Sequence, residues 1–339
     1  MYTQIGIDLG TMGATVSVPG VGILSHERTH ECPAVSTLPD AGDATALKRA
    51  IAEEGAVPPI FRDSIIAPEY TAAIIKRVLA RADVASDAAI LFSVPCNFGE
   101  IEESALTEMA LQAGACVAQL LYSPLAALVG NNLDPGMGAI VIDIGAARTD
   151  ILVLGHGRIL YKKTCRIGGI DFDEAIVRYV EREHKVRISR ETAETVKKKI
   201  GTVWVGNEKR AIEVSGQDIK NGEFCTVRIM SMEMFAALEE PTATLMEGIC
   251  TAITRIPTDL VREVFDTGIL LAGGASQLEG IDRMISGVTG VNATCMDDPM
   301  CTVARGLSLL AGRGSIGASE GVNISKYIIK DAYEGVGRK

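Results

Sequence analysis

The stretch VIDIGAARTDILVLGHGRI, residues 141–159, has the pattern of a strand, a tight turn and a second strand. A counterpart near the start of the chain is IGIDLGTMGATVSVPGVGIL, residues 5–24. Each copy has an aspartate shortly before the glycine of its turn, Asp8 in the first and Asp143 in the second, and each continues with an apolar, alternating strand. The same hairpin written twice indicates two related domains whose equivalent turns face each other across one cleft.

The segments around the two hairpins predict an α/β protein. A continuous apolar run of strand length, residues 88–95, is typical of a strand that is covered on both faces. The other predicted elements, in chain order, are an exposed helix within 43–55, a helix at 68–83, a helix at 99–114, a short helix at 123–131, a helix at 168–186, a helix at 189–200 with Ser189 as its N-cap, short strands within 204–229, one long helix at 231–255, a strand, glycine turn and helix at 267–286, and a final helix at 297–312.

Composition excludes several classes of protein. A net charge of −10 over 339 residues argues against nucleic acid as a partner, because a nucleic-acid binder needs a basic surface. Eight cysteines occur singly, with no C-x-x-C pair, which favours reduced thiols over a disulfide framework or a zinc site. No apolar run reaches the ~18 residues of a membrane span, so we expect a cytoplasmic protein.

The glycine turns predict a phosphate site. Glycine lets the main chain approach a ligand closely, and two such turns on opposite walls of a cleft could hold a polyphosphate between them. We expect Asp8 and Asp143 to hold Mg²⁺ through water, because Mg²⁺ gives up its water reluctantly. A third glycine element, LLAGGASQL at 270–278, follows an apolar strand and opens a helix, where a ligand can rest on the main chain.

These motifs carry a family resemblance when they are taken in order. The series IGIDLGT, SVPCNFGEIEESAL, VIDIGAARTDILVL, RIGGIDFDEAI, ETVKKKIG, LLAGGASQLEGIDRMI and DPMCTVARG resembles the superfamily of actin, sugar kinases and heat-shock chaperone ATPases. Within it the chain is most similar to bacterial actins of the MreB and Mbl kind. The resemblance covers nearly the whole chain and is weakest at 25–62 and after residue 312.

The resemblance implies an actin-like ATPase fold, in which two duplicated ribonuclease-H-like domains surround a nucleotide cleft. Domain I would comprise residues 1–136 and 298–339, with a small insertion at about 25–62. Domain II would comprise residues 137–297, with a small insertion at about 185–230.

The resemblance also implies roles for single residues, with ATP or ADP and Mg²⁺ as cofactors. Glu102 would position the attacking water, and Asp8 and Asp143 would serve catalysis as the Mg²⁺ residues. The implied cofactor-binding residues are Gly10, Thr11, Met12, Gly13, Gly145, Ala146, Ala147, Thr149, Gly169, Glu194, Lys197, Gly273, Gly274 and Ala275.

Four positions depart from the family pattern. Gly13 stands where asparagine is usual, Ala147 where glycine is usual, and Ile170 where an acidic residue is usual. Arg148 occupies a position that is usually small or neutral, and we expect its side chain to point to solvent. These departures argue against fast hydrolysis more than against nucleotide binding.

The function that the resemblance implies is that of an ATP-binding, cytoskeletal bacterial actin, which polymerises into filaments of its own copies and hydrolyses ATP slowly. Its process would be cell shape or intracellular organisation. The alternatives are a small-molecule kinase on the same fold, which usually has larger insertions, and an adaptor ATPase of the division or chaperone type.

Membrane contact is left open, either directly or through a membrane-protein adaptor. The tail ISKYIIKDAYE, residues 324–334, is expected to be helical, either as a short interfacial helix or as a terminal helix docked on its own domain. The apolar stripe and the flanking lysines of that predicted helix are Ile324, Tyr327, Ile328, Ala332, Lys326 and Lys330.

Overall fold

The computed structural model describes residues 3–28, 60–62, 64–65, 68–81, 88–206, 210–311 and 330–333. The strands in these ranges are β1 (Thr3–Leu9), β2 (Gly13–Val18), β3 (Gly22–Arg28), β4 (Ile60–Phe61), β5 (Ser64–Ile65), β6 (Ala88–Val94), β7 (Ala115–Tyr122), β8 (Ala139–Ile144), β9 (Thr149–Gly155), β10 (Arg158–Cys165), β11 (Val186–Arg187), β12 (Ala211–Asp218), β13 (Phe224–Met230), β14 (Ile269–Ala272), β15 (Ala293–Cys295) and β16 (Lys330–Tyr333).

The helices in the same ranges include a 3₁₀ turn at Gly274–Gln277. The α-helices are α1 (Pro68–Arg81), α2 (Glu100–Gln112), α3 (Ser123–Gly130), α4 (Gly169–His184), α5 (Arg190–Ile200), α6 (Ser231–Ala237), α7 (Glu239–Ile253), α8 (Val261–Thr267), α9 (Ile281–Thr289) and α10 (Thr302–Ala311).

Two sheets with the same internal order confirm the duplication. The first has the order β16-β7-β6-β1-β2-β3 and the second has the order β10-β9-β8-β14-β15. In each, the first three strands form an antiparallel meander, and two later strands, β6 and β7 in the first sheet and β14 and β15 in the second, add in parallel on the far side of the first strand. Numbered in chain order within each sheet, the strands have the order 3-2-1-4-5, and β16 adds to the edge of the first sheet.

The faces of these sheets contribute to two separate hydrophobic cores. One contains Ile7 and Phe92 of the first sheet together with Val141 of the second. Helix α10 packs on the first sheet and on α3, and α3 packs on the second sheet, so these two helices join the halves. The other core contains Ile142 and Phe172, because neighbouring residues of a strand point to opposite faces.

Helices α3 and α10 cross at two glycines. A Cβ atom on Gly130 would lie 1.9 Å from the carbonyl oxygen of Thr302, and one on Gly306 would lie 1.8 Å from that of Ala126. Any side chain at either position would force the helices apart. The joint between the halves therefore depends on these two glycines.

The prediction of one long helix at 231–255 is wrong, because the chain forms two helices there. Helix α6 ends at Ala237 and α7 begins at Glu239, with Leu238 between them at φ −94° and ψ 2°. Pro241 lacks an N–H and cannot donate to the carbonyl of Ala237, whereas it fits the first turn of a new helix.

The ends of the first sheet also differ from expectation. The tail forms a strand at Lys330–Tyr333, antiparallel to β7, and not the predicted helix, because it pairs with main-chain groups that an edge strand would leave open. Strand β3 continues to Arg28, so the insertion predicted at about 25–62 begins with the end of a strand. The helix predicted within 43–55 and the tail segment 324–329 lie outside the described residues, and the domain limits stay a prediction.

Candidate nucleotide-binding cleft

The two hairpin turns are closed by the same main-chain hydrogen bond. The amide of Gly10 donates to the carbonyl of Gly13 at 2.8 Å, and the amide of Gly145 donates to the carbonyl of Arg148 at 2.9 Å. Each turn follows a strand that ends just after an aspartate. The duplication therefore extends to the geometry of the turns.

Asp8 and Asp143 lie close enough for their charges to interact. Burial, together with the negative charges of Asp150 and Asp8, raises the pKa of Asp143 to about 7, while the positive charge of Arg148 acts to lower it. The hydroxyl of Ser93 donates to Asp8 Oδ1 at 2.5 Å. The negative charges of the carboxylates in the cleft are thus only partly balanced by positive charge.

Three of the predicted motifs converge at Gly169. A Cβ atom on this glycine would lie 3.4 Å from Lys197 Nζ, 3.6 Å from Ala275 Cβ and 3.7 Å from the carbonyl oxygen of Gly145. The second turn, the α5 helix and the third glycine element therefore meet at one point, although they are far apart in the sequence.

The third glycine element also reaches the second turn directly. Gly273 has φ +84°, and a Cβ atom there would lie 2.4 Å from Asp143 Oδ1 and 2.3 Å from the carbonyl oxygen of Ile144. Only glycine fits both the backbone conformation and this contact. Next to it, Gly274 begins the 3₁₀ turn beside the side chain of Met300.

The N-terminus of α4 is built onto the second turn. The amides of Gly169 and Ile170 donate to the carbonyls of Gly145 and Ala146, at 3.0 and 2.7 Å. The carboxylate of Asp171 accepts from the amide of Gly168 at 2.7 Å and so caps the helix. The position of the turn is therefore fixed by a helix start.

Lys197 takes part in a buried ion pair. Its Nζ lies 2.7 Å from Asp173 Oδ1, with only 13% and 6% of the two side chains exposed, and it donates to the carbonyl of Gly169 at 2.7 Å. Burial raises the pKa of Asp173 to about 6 against the opposing charge of Lys197. Glu194 forms a pair with Lys198 at 2.7 Å.

Both threonines predicted to bind the cofactor have hydrogen-bond partners within the protein. Thr11 is buried and its hydroxyl donates to the carbonyl of Ile60 at 3.1 Å, and that of Thr149 donates to the carbonyl of Ile167 at 2.8 Å. Met12, between the turn glycines, is 39% exposed.

An apolar contact joins the two sides of the cleft. Phe61, on the short strand β4, packs with Ala147 of the second turn and with Ile170 at the start of α4. Beside it, Arg62 lies 3.9 Å from Asp171. Two of the departures from the family pattern thus face each other in one contact, and the methyl group of Ala147 is buried there.

The expectation that Arg148 points to solvent is wrong, because its side chain is buried. Arg148 Nε donates to Asp150 Oδ2 at 2.9 Å, and Asp150 Oδ1 accepts from the amide of Cys96 at 2.8 Å and from the hydroxyl of Thr164. A buried carboxylate needs a positive charge and hydrogen-bond donors around it, and Asp150 obtains the charge from Arg148. This requirement buries the arginine, although an arginine in a turn is usually exposed. The sequence signal was an acidic residue, Asp150, inside an apolar strand.

The same network holds the loop that leads to Glu102. Besides the Cys96 amide, the amide of Asn97 donates to Thr164 Oγ1 at 3.0 Å, and Lys162 Nζ donates to the carbonyl of Cys96 at 2.7 Å. Side chains of the second sheet therefore position a loop of the first. Glu102 lies in the first turn of α2, with Oε2 2.7 Å from the place of a Cβ on Gly99.

Two duplicated halves with equivalent turns at one cleft define an actin-like fold. The crystal structure of MreB5 of Spiroplasma citri bound to ADP matches 91% of this chain and 96% of its own with a TM-score of 0.81 at 23% identity. The structure of the MamK double helical filament matches 91% of this chain and 98% of its own, with a TM-score of 0.69 at 21% identity.

The sequence comparisons then give the family. The family model described as MreB/Mbl protein matches residues 2–313. Cell shape-determining protein MreB of Escherichia coli K12 is 31% identical over 318 residues, which is 89% of this chain and 91% of that protein. Cell shape-determining protein Mbl of Bacillus cereus is 32% identical over 325 residues, 91% and 95% of the two chains. The chain belongs to the MreB/Mbl family and is a bacterial actin-like cytoskeletal protein.

None of the helices in the described part of the chain is both long enough and apolar enough to span a bilayer.

Proposed function

We propose that this protein binds ATP with Mg²⁺ between its two turns, assembles with copies of itself into filaments and hydrolyses ATP slowly. The observation that carries the proposal is the pair of Asp8 and Asp143, at equivalent ends of duplicated strands. Burial and neighbouring carboxylates raise the pKa of Asp143 to about 7. Such a carboxylate favours a bound cation, because the cation restores its ionised form.

The donor set suits Mg²⁺. Mg²⁺ prefers oxygen ligands, keeps several waters and commonly takes one or two carboxylates together with phosphate oxygens. Asp8 and Asp143 supply that number of carboxylates. Across the described ranges, no three His, Cys, Asp or Glu side chains are grouped to hold a metal by themselves. When bound, Mg²⁺ neutralises charge that develops on the phosphate oxygens.

The remaining residues would bind and orient the nucleotide. The main chain around Gly10 and Gly145 would approach the phosphates, and Gly273 and Gly274 would offer a flat surface to the adenine side. Gly169 lies where the second turn, Lys197 and Ala275 meet, so it would allow the sugar and phosphates to pass between them.

The position of Glu102 supports the proposal that hydrolysis is slow. Its carboxylate lies over Gly99, at the start of its own helix, where the helix dipole favours a negative charge. The side chain must leave that place to orient a water molecule on a terminal phosphate. We therefore expect the correct geometry to form rarely in the free subunit and more often in the filament.

The relatives suggest the process served. Those named MreB and Mbl are cell shape-determining proteins, and MamK forms a double helical filament. We therefore propose a role in the control of cell shape or of intracellular organisation, and with it a cytoplasmic location. The proposal leaves open whether the protein contacts a membrane directly or through a membrane-protein adaptor.

Electron microscopy and pelleting with ATP, ADP or a non-hydrolysable ATP analogue, each with Mg²⁺, test the proposal. We expect filaments with ATP and with the analogue, and phosphate release slower than assembly. Asp143→Asn should abolish both nucleotide binding and filaments. Asp266→Asn is the matched control, since Asp266 is 76% exposed and pairs loosely with Arg262 at 4.0 Å. A monomer that phosphorylates a sugar would replace the proposal with a kinase.

A further inference from the structure

Arg148 is the one departure from the family pattern that brings a charge into the cleft. It is only 7% exposed, and its carbonyl closes the second turn through the amide of Gly145. Its main chain therefore has a fixed position at the start of β9. The side chain extends from the turn that would face the phosphates.

The guanidinium group is oriented by Asp150. Nε donates to Asp150 Oδ2 at 2.9 Å, and the other carboxylate oxygen is occupied by Cys96 and Thr164. Asp150 is itself 1% exposed, so both partners of the pair are buried. Within the described ranges Nε is the only Arg148 nitrogen with a hydrogen-bond partner, which leaves the two terminal nitrogens as donors.

The guanidinium group also lies near both Mg²⁺ residues. Burial acts to lower the pKa of Arg148, whereas the charge and the hydrogen bond of Asp150 act to raise it, and the net shift is upward. Asp143 and Asp8 add to that rise. A positive charge thus stands within electrostatic range of both hairpins, and an arginine is always charged at neutral pH.

We propose that Arg148 is a specificity-determining residue, which donates through its terminal nitrogens to the terminal phosphate of a bound nucleoside triphosphate. This inference rests on the proposed function, since it concerns the same cleft. A charge-assisted hydrogen bond from a preoriented arginine contributes about a tenfold gain in affinity. Because ADP lacks the terminal phosphate, the gain applies to triphosphates alone.

A simpler role for Arg148 is to neutralise Asp150 and hold the network that joins the two sheets. The two roles differ in what happens when both residues become neutral. The double variant Arg148→Gln with Asp150→Asn removes both charges and keeps an oxygen that accepts from the Cys96 amide. If Arg148 served only Asp150, this double variant would behave as the unmodified protein.

Calorimetric titration with a non-hydrolysable ATP analogue and with ADP, in Mg²⁺ and in EDTA, tests the inference on the full chain. Arg148→Gln should weaken binding of the triphosphate analogue about tenfold and that of ADP less than about threefold. Arg148→Lys should lose less affinity for the triphosphate analogue than Arg148→Gln, because lysine keeps the positive charge but lacks the planar pair of terminal nitrogens. Thermal melting of each variant identifies those that are folded.

The double variant decides between the roles. We expect it to melt cooperatively and to show the same loss of triphosphate preference as Arg148→Gln. Recovery of the preference in the double variant, or equal losses for both nucleotides in Arg148→Gln, would overturn the inference and leave the proposed function standing. If the unmodified protein binds neither nucleotide, the proposed function and the inference both fail.

Discussion

Replacing Lys197 by methionine should destabilise the protein strongly, because the change strands a buried carboxylate. Lys197 and Asp173 are 13% and 6% exposed and lie 2.7 Å apart. Removing one partner of such a pair costs about 3–5 kcal/mol, whereas an exposed pair contributes about 0–1 kcal/mol. The next residue offers a matched control on the same helix. Lys198 is 68% exposed and pairs with Glu194, so Lys198→Met should cost no more than about 1 kcal/mol.

The size of the loss should depend on pH, with a defined sign. The pKa of Asp173 is about 6 in the folded protein against a usual value of 3.8, chiefly through burial, so the folded state holds its proton more tightly. Stability therefore falls as pH rises from about 4 to about 6. Without Lys197 the pKa of Asp173 rises further. The loss in Lys197→Met should thus be largest above pH 7 and should shrink towards pH 5, where Asp173 is protonated.

Urea unfolding followed by circular dichroism at pH 8 and pH 5, without nucleotide, measures these differences. The double variant Lys197→Met with Asp173→Asn should recover at least half of the loss at pH 8, since no unpaired charge remains. A cost for Lys197→Met no larger than for Lys198→Met would refute the reasoning, as would a double variant no more stable than the single one. Nucleotide titration of the double variant then shows whether Lys197 also contributes to binding of the cofactor.

Three further predictions concern the cleft. Glu102→Gln should slow phosphate release by about a hundredfold and change nucleotide affinity less than about twofold, while Glu108→Gln, on the exposed side of the same helix, should change neither. Asp143→Asn should stabilise the nucleotide-free protein above pH 7 by at most about 4 kcal/mol. The reason is that the pKa of Asp143 is about 7, so burial disfavours its ionised form in the folded protein. Urea unfolding in EDTA at pH 8 and pH 5 measures this gain, which should be smaller at pH 5. Phe61→Ala should remove the contact with Ile170 across the cleft and speed dissociation of a fluorescent nucleotide several-fold, and an unchanged rate would show that the contact does not restrain the cleft.

The duplication and the turns could be predicted because their signals are local. Alternating apolar residues specify each strand of a hairpin, and glycine specifies its turn. Ser189 likewise predicts the start of α5, and its hydroxyl accepts from the amide of Thr192 at 3.2 Å. Such features need only neighbours in the sequence, so one chain is sufficient to read them.

The edge of the first sheet could not be predicted for a physical reason. Strand β7 stands between two helices and is as apolar as its neighbour α3, and periodicity does not separate a buried strand from a buried helix. The strand at Lys330–Tyr333 depends on pairing with β7, about 210 residues away by the register of Lys330 with Leu120. Only the assembled sheet shows which segment completes it.

The prediction that Arg148 points to solvent failed for a related reason, since the partners of its side chain lie elsewhere in the fold. The buried position of Arg148 also bears on how the cleft would take up a nucleotide. Three carboxylates, those of Asp8, Asp143 and Asp150, share this region with one guanidinium group. The balance is negative, so a free triphosphate would be repelled and would enter only as its Mg²⁺ complex. Arg148 reduces that repulsion without removing it. The cleft should therefore require Mg²⁺ for tight binding even with Arg148 present, and Arg148→Gln should increase that requirement.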